Sequence, residues 1–422
     1  MKDSKKKIHY AWIILVGLSI VVGLGKGALN NSAGLFLPPV SKDLGIGIGS
    51  LSLYFSISSV VTMVVLPLGG KLMAKYDTRM LLIIAIILQG GAFAAMGLMS
   101  SVWGWYVLAI PLAIGGIFIT VIAGPVLINQ WFKQSKGLAL GIMGASVGAI
   151  GALVQPLAGN LIATRGWSNS YMIIGIAVIV IVIPIVLLLI RKSPQDKGLL
   201  PYDKQKGSTS NTIEAAVDVS DHGITLAVAK KSASFYALLL FFFLMTSIAS
   251  FTIHIPTYLT NQGYTVEFAG NLMGIYMIGV LVGALALGFM SDKIGTKLTS
   301  LIAMGLGMAA IVSMLLFVDN PVLISAAAAV FGFTTATVGT VAPMLTAALF
   351  GNREYSQIYA TASLGLAVAA VIALPAYGFI YDYTGTYQGV LVGLLVMFVL
   401  NVVAILLAFK SKEKLVEQGL WK

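Results

Sequence analysis

Twelve apolar runs, each long enough to cross a bilayer, constrain this chain more than any other feature. They lie near 11–37, 50–73, 80–99, 103–130, 138–163, 169–190, 235–260, 267–290, 298–318, 321–349, 356–381 and 387–409. A helix crosses about 30 Å of hydrocarbon with roughly 20 residues. The runs are continuous and do not alternate with a period of two, which excludes a barrel of strands. Composition agrees: 58% of the residues are hydrophobic and 10% charged, against about 45–50% and about 25% in soluble domains. A disordered chain, a coiled coil and an ordinary soluble enzyme are excluded, and an all-α polytopic membrane protein is expected. With no cysteine in the chain, a disulfide framework, a thiolate metal site and a cysteine nucleophile are excluded too.

The basic residues orient the spans. With both termini cytoplasmic, 23 of the 26 Lys and Arg fall on the cytoplasmic side, leaving Lys42 and Arg165 outside and Lys26 within a span. This positive-inside split accounts for the net charge of +11 without a nucleic-acid partner. The first run carries Lys26 and no small-residue cleavage site closes it, so it reads as a retained span, not a signal peptide. The expected location is the inner (plasma) membrane, multi-pass.

Residues 191–232 form the one long polar stretch, with Pro194, Pro201 and a Ser/Thr/Asn patch at 208–212. It reads as a cytoplasmic linker between a six-helix bundle at 1–190 and another at 233–422. The halves repeat. A shift of 218 residues places Pro38 on Pro256, Gly45 on Gly263, Gly70 on Gly288, Lys75 on Lys293, Thr78 on Thr296 and Pro125 on Pro343. A shift of 219 brings Pro156 to Pro375 and Gly166 to Gly385. Parallel six-helix repeats build alternating-access transporters, with a site near the midplane between the halves.

The loop after the second span runs Gly70-Lys71-Leu72-Met73-Ala74-Lys75-Tyr76-Asp77-Thr78-Arg79, and its counterpart Gly288-Phe289-Met290-Ser291-Asp292-Lys293-Ile294-Gly295-Thr296-Lys297. The second copy resembles the G-x-x-x-D-[RK]-x-G-x-[RK] motif of the major facilitator superfamily. The resemblance implies the major facilitator fold and a cytoplasmic gate at Gly70, Lys75, Arg79, Gly288, Asp292, Lys293 and Lys297. In the first copy Ala74 stands for the acid and Asp77 for the glycine, which implies a differently built latch. Tyr10-Ala11-Trp12, Trp131-Phe132, Lys136-Gly137-Leu138-Ala139, Gly166-Trp167 and the run Pro194–Pro201 are similar to the bacterial monocarboxylate porter and oxalate/formate antiporter branch. Ser168 stands where that branch usually has arginine. Val280 and Ala284 occupy the eighth-span positions of its Asp–Arg pair, and the eleventh span lacks its lysine, so those anion-binding residues do not carry over.

Intramembrane charges are expensive, about 2.5–3.5 kcal/mol on insertion scales. All 15 acids fall in loops, termini or span ends. Of the bases only Lys26 lies deep. It reads as a cavity residue that meets an anionic substrate, against a structural reading in which it snorkels or bonds backbone carbonyls. Asn30 lies one turn along on the same face. Tyr276, near mid-depth in the eighth span and one turn from Val280, is a third candidate for substrate binding, against simple packing. His254, the one histidine inside a span, is a candidate for proton coupling, against a structural histidine. Thr120, Gln155, Thr335 and Ser363 are further polar residues within spans. The third, sixth, ninth and twelfth spans are almost wholly apolar, with Gln89 and Asn401 among the exceptions, and the superfamily places these spans against lipid.

Gly25-Lys26-Gly27 does not make a phosphate loop, because Ile20 and Gly27 replace its first glycine and its Ser/Thr. No nucleotide, cofactor or metal is expected. The expected function is secondary transport of a small organic anion, a monocarboxylate or similar carboxylate, by rocker-switch alternating access in a monomer. The alternative is a drug/proton multidrug exporter, which needs a membrane-embedded acid that this sequence does not have. A membrane enzyme would need a catalytic constellation near the bilayer surface, and none is apparent.

Overall fold

The structure, a computed structural model, describes residues 9–133, 135–202, 223–351 and 353–421. Lys2, Lys5, Lys6, Lys7, Lys204, Lys206 and Lys422 lie outside the described residues, as do residues 203–222 of the expected linker at 191–232. Among the described residues, eleven helical stretches are long and apolar enough to cross a membrane. One of them, Leu138–Leu189, has 52 residues, well over twice what a single crossing needs at 1.5 Å per residue. It breaks at Gly166, where φ is 77° and ψ is 163°. A side chain strains that backbone, and glycine does not. The break separates a fifth span from a sixth, and twelve spans result.

The first four spans are Tyr10–Leu44, Ile48–Met73, Thr78–Met96 and Val102–Trp131. The seventh to eleventh are Ala233–Asn261, Val266–Ile294, Thr296–Leu316, Pro321–Phe350 and Gln357–Thr384. The twelfth, Gln388–Glu417, outruns its apolar stretch. Its last turns read KSKEKLVE, a run of strong helix formers that continues the helix once hydropathy has ended. Large apolar side chains such as Leu153, Leu188 and Leu285 are about two-thirds exposed or more. Such a surface is matched by lipid and not by water. This is an all-helical, multi-pass membrane protein.

The chain forms two compact units, Met1–Ala33 with Val60–Thr212, and Gly34–Ser59 with Ile213–Lys422. In the first unit, the first and fifth spans touch backbone to backbone. A Cβ on Gly27 would stand 2.8 Å from the Val147 carbonyl oxygen and 3.1 Å from the Gly151 nitrogen. Close approach through small residues is how helices associate in lipid, where burial of apolar surface between helices gains little.

At one end of this unit the chain after the sixth span folds back. The Tyr202 N–H donates to the Trp131 carbonyl at 2.8 Å, and the Lys133 N–H to the Tyr202 carbonyl at 3.0 Å. The Tyr202 ring stands 5.4, 5.7 and 5.8 Å from the rings of His9, Trp12 and Phe132. Trp131 Nε1 donates to the Arg191 carbonyl at 3.0 Å, and Lys197 Nζ lies 5.2 Å over the Tyr10 ring. Three motifs far apart in sequence, at 10–12, 131–132 and 194–201, thus meet in one aromatic clasp.

In the second unit the His254 ring lies 5.9 Å from that of Tyr377 and 5.7 Å from that of Tyr387, and the Phe251 ring in turn contacts Tyr258, Tyr377 and Tyr387. The start of the second span belongs to this unit, and Ser56 Oγ donates to the Val371 carbonyl of the eleventh span.

Candidate functional site

Glycine-rich sequence loosens the first span where its polar side chains stand. Gly23–Asn30, GLGKGALN, is a π-helix set between α-helical segments Tyr10–Val22 and Ala33–Leu44. The Asn31 N–H closes a five-residue step onto the Lys26 carbonyl at 3.0 Å. Such wide turns inside α-helices recur at functional sites. Gly25, Gly27, Ala28 and Leu29 are buried, whereas Lys26 and Asn30 are exposed on one face. Among the described residues the Lys26 ammonium has no hydrogen-bond or ion-pair partner. The structure therefore leaves a cation and an amide side by side at mid-span.

Behind that face stands Gln89 of the third span, fully buried. Its Nε2 donates to the Gly25 carbonyl at 3.0 Å and to Asn30 Oδ1 at 3.1 Å. Sequence reasoning noted Gln89 only as an exception in an apolar span. A lone amide in such a span was the available signal, because a polar group in hydrocarbon needs a partner. Its partner, on a helix 59 residues away, was not legible.

Tyr276 and His254 stand in the second unit, both buried. Thr252 Oγ1 donates to the Tyr276 hydroxyl at 2.9 Å. Thr335 Oγ1 lies 2.7 Å from that hydroxyl and also donates to the Gly332 carbonyl at 3.0 Å. Its proton is thereby used, so Tyr276 donates to Thr335. The hydroxyl accepts once and donates once, and is satisfied inside its own unit. His254 Nε2 lies 2.8 Å from the Leu374 carbonyl, and Nδ1 lies 2.9 Å from the Tyr387 hydroxyl. A carbonyl only accepts, so Nε2 carries the proton and a neutral imidazole accepts at Nδ1.

Thr120 and Ser363 donate to carbonyls four residues back in their own helices, a common use of such hydroxyls. Gln155 is buried, and neither of its amide atoms has a partner among the described residues. Asn401 is likewise buried and unpartnered there.

The two motif turns are built differently. Gly295 takes φ 82°, which favours glycine. Asp77, at the corresponding place, takes φ −64° and caps the third span, accepting the N–H groups of Arg79 at 2.9 Å and Met80 at 3.0 Å. The departure from the motif thus replaces a glycine turn with a carboxylate N-cap. Gly70 and Gly288 lie within the second and eighth spans, near their ends. Lys75, Asp292, Lys293 and Lys297 are exposed and Arg79 is half-buried. Lys293 Nζ lies 4.6 Å over the Phe289 ring, and Lys297 Nζ lies 5.4 Å over the Phe409 ring. Among the described residues no group of three or more His, Asp or Glu is placed to hold a metal ion.

The chain resembles known proteins along most of its length. Over 202 residues it is 28% identical to the oxalate:formate antiporter of Oxalobacter formigenes, a stretch that covers 47% of each chain. The match thus spans about half of that relative. Over 393 residues it is 22% identical to a multi-drug resistance efflux pump PmrA homolog of Lactococcus lactis, covering 89% of this chain and 90% of the other. In fold it matches a solved bacterial homolog of the human lysosomal transporter Spinster, with a TM-score of 0.70, 14% identity, and 97% and 98% of the two chains covered. Residues 15–274 and 259–419 each match the Major Facilitator Superfamily, and the chain belongs to that family of membrane transporters, not to the enzymes.

Proposed function

We propose that this chain is a secondary carrier of a small organic anion, a carboxylate, working by alternating access between its two six-helix repeats. One observation carries the reading. Lys26 and Asn30 share the exposed face of a π-helix at mid-span, and every acid in the chain lies in a loop, a terminus or a span end. A lone ammonium at that depth is costly unless an anion meets it. A carboxylate does so through a charge-assisted hydrogen bond. Lys26 and Asn30 are the binding residues in this reading. Tyr276, with its hydroxyl already bonded, serves as framework. Proton movement through His254 would first have to break the Leu374 or the Tyr387 bond. In this reading Lys75, Arg79, Lys293 and Lys297, with Asp292, serve as gate residues at the cytoplasmic ends, and the positive-inside split supports two cytoplasmic termini in an inner membrane. The carrier works as a monomer.

A multidrug exporter is the second reading, favoured by the length of the match to the efflux pump. It calls for a carboxylate within the membrane to hold a cation or a proton. The test is uptake into proteoliposomes of labelled oxalate and lactate, compared with extrusion of a lipophilic cationic dye. Saturable carboxylate uptake supports the carrier of anions. Dye extrusion without carboxylate uptake overturns it.

A further inference from the structure

The buried amide of Gln89 has a fixed orientation, and that orientation decides what Asn30 offers to a ligand. The Gly25 carbonyl can only accept, so the Gln89 atom 3.0 Å from it is the nitrogen. The same nitrogen lies 3.1 Å from Asn30. Its second proton therefore requires the oxygen of Asn30 at that position. Turning the Gln89 amide over would set its oxygen against two acceptors, the Gly25 carbonyl and Asn30 Oδ1. The present orientation stands although Gln89 Oε1 is buried with no partner among the described residues. The fourth span packs closely on Gln89 too, for a Cβ on Gly115 would stand 2.7 Å from the Gln89 backbone nitrogen and 3.0 Å from its Cβ. With its oxygen taken by Gln89, Asn30 is left with its NH2 group to offer, on an exposed residue.

The geometry points to Gln89 as the positioning residue that makes Asn30 a donor, so that Lys26 and Asn30 form a cradle of donors selective for an acceptor-only group. This rests on the anion-carrier reading and narrows it. The ammonium supplies three N–H donors and the amide two. A carboxylate, which only accepts, satisfies both. A carboxamide of the same shape brings N–H groups that meet no acceptor there, and unpaired polar groups discriminate strongly. Gln89 touches no ligand in this arrangement and acts through Asn30.

The experiment is a double-mutant cycle on purified, reconstituted protein, with lactate, oxalate and lactamide as probes. Asn30→Ala and Gln89→Met should each weaken carboxylate binding by about tenfold or more, the lower end of the scale of one hydrogen bond to a charged group. In the Asn30→Ala background, Gln89→Met should cost nothing more. Gln89→Met should also narrow the preference for lactate over lactamide, because a released Asn30 can turn its oxygen outward. Gln89→Glu, which keeps the size but can only accept from Asn30, should lose that preference as well. This second variant keeps the test open should Gln89→Met fail to fold. Equal effects of Gln89→Met with and without Asn30, at unaltered preference, overturn the proposal and leave Gln89 a packing residue. A wild-type protein that binds neither lactate nor oxalate, and whose properties Lys26→Gln does not alter, overturns the anion-carrier reading itself and the cradle with it.

Discussion

The carboxylate of Asp382, near the end of the eleventh span, caps the start of the second span by accepting the N–H of Ile48. That bond is 2.8 Å long, and the second carboxylate oxygen accepts the Gly49 N–H at 2.8 Å. The first N–H groups of a helix have no partner within it, and an acid there also meets the positive end of the helix dipole. The bond joins a helix of the first sequence repeat to one of the second, within a single compact unit. Asp382→Ala should lower stability by about 0.5–2 kcal/mol, the usual worth of a side-chain cap, read as a fall in melting temperature in detergent. If carriage requires these helix ends to part, a cysteine introduced by Lys42→Cys should label faster in the Asp382→Ala protein. Unchanged melting and labelling would show the cap to be dispensable.

Lys26→Gln should reduce affinity for the transported anion by roughly 10–150-fold, the value of one charge-assisted hydrogen bond of about 1.5–3 kcal/mol. Insertion and folding should be retained, since the change removes a charge from the membrane. Lys26→Arg should keep weak binding, because the charge remains while its shape and hydration change. Equilibrium binding on purified protein reads both effects.

His254→Phe leaves the Leu374 carbonyl and the Tyr387 hydroxyl without their partner in a buried site. The expected cost is about 1–3 kcal/mol, with uptake between pH 5 and 8 keeping its profile. A lost pH response at unchanged stability would instead assign the proton to this imidazole.

Tyr202→Ala removes the ring that bridges His9, Trp12 and Phe132. Residues 191–202 should then leave the first unit more readily. Limited proteolysis should cut near 200 several-fold faster than in the wild type, with transport affinity unaltered.

The Asp196 carboxyl is held below the usual carboxylate range, chiefly by the Ser193 N–H, with the Ser193 hydroxyl and Arg79 also favouring its charge. A depressed folded value stabilises above the unfolded pKa of about 3.9, and the contribution is lost as pH falls through the folded value. The group is exposed, so the effect is small and screened by salt. Melting temperatures of the wild type and Asp196→Asn should differ slightly at pH 6 and converge below pH 4.

Local composition determined a great deal. Span number and type follow from runs of apolar residues, because lipid leaves no alternative to a helix that satisfies its own backbone. The break at Gly166 was visible as a gap between two runs, since one apolar stretch of that length would overshoot the bilayer. Lys26 stood out because charge in hydrocarbon is costly wherever the chain goes. These are properties of a segment and its solvent, and a segment carries them in its own residues.

What Asn30 donates, what Tyr276 already binds and what Asp77 does in place of a glycine depend on neighbours. Gln89 reaches Asn30, and Tyr202 reaches Trp12, only after helices pack sideways. Helix periodicity says which face a side chain is on, but not which helix lies against that face. Tertiary structure alone decided that the motifs at 10–12, 131–132 and 194–201 are one clasp, and that an amide in an apolar span stands behind the candidate site. The physical reason is that a hydrogen bond is set by distance and angle between two groups, and sequence separation constrains neither once the chain has turned back through the membrane.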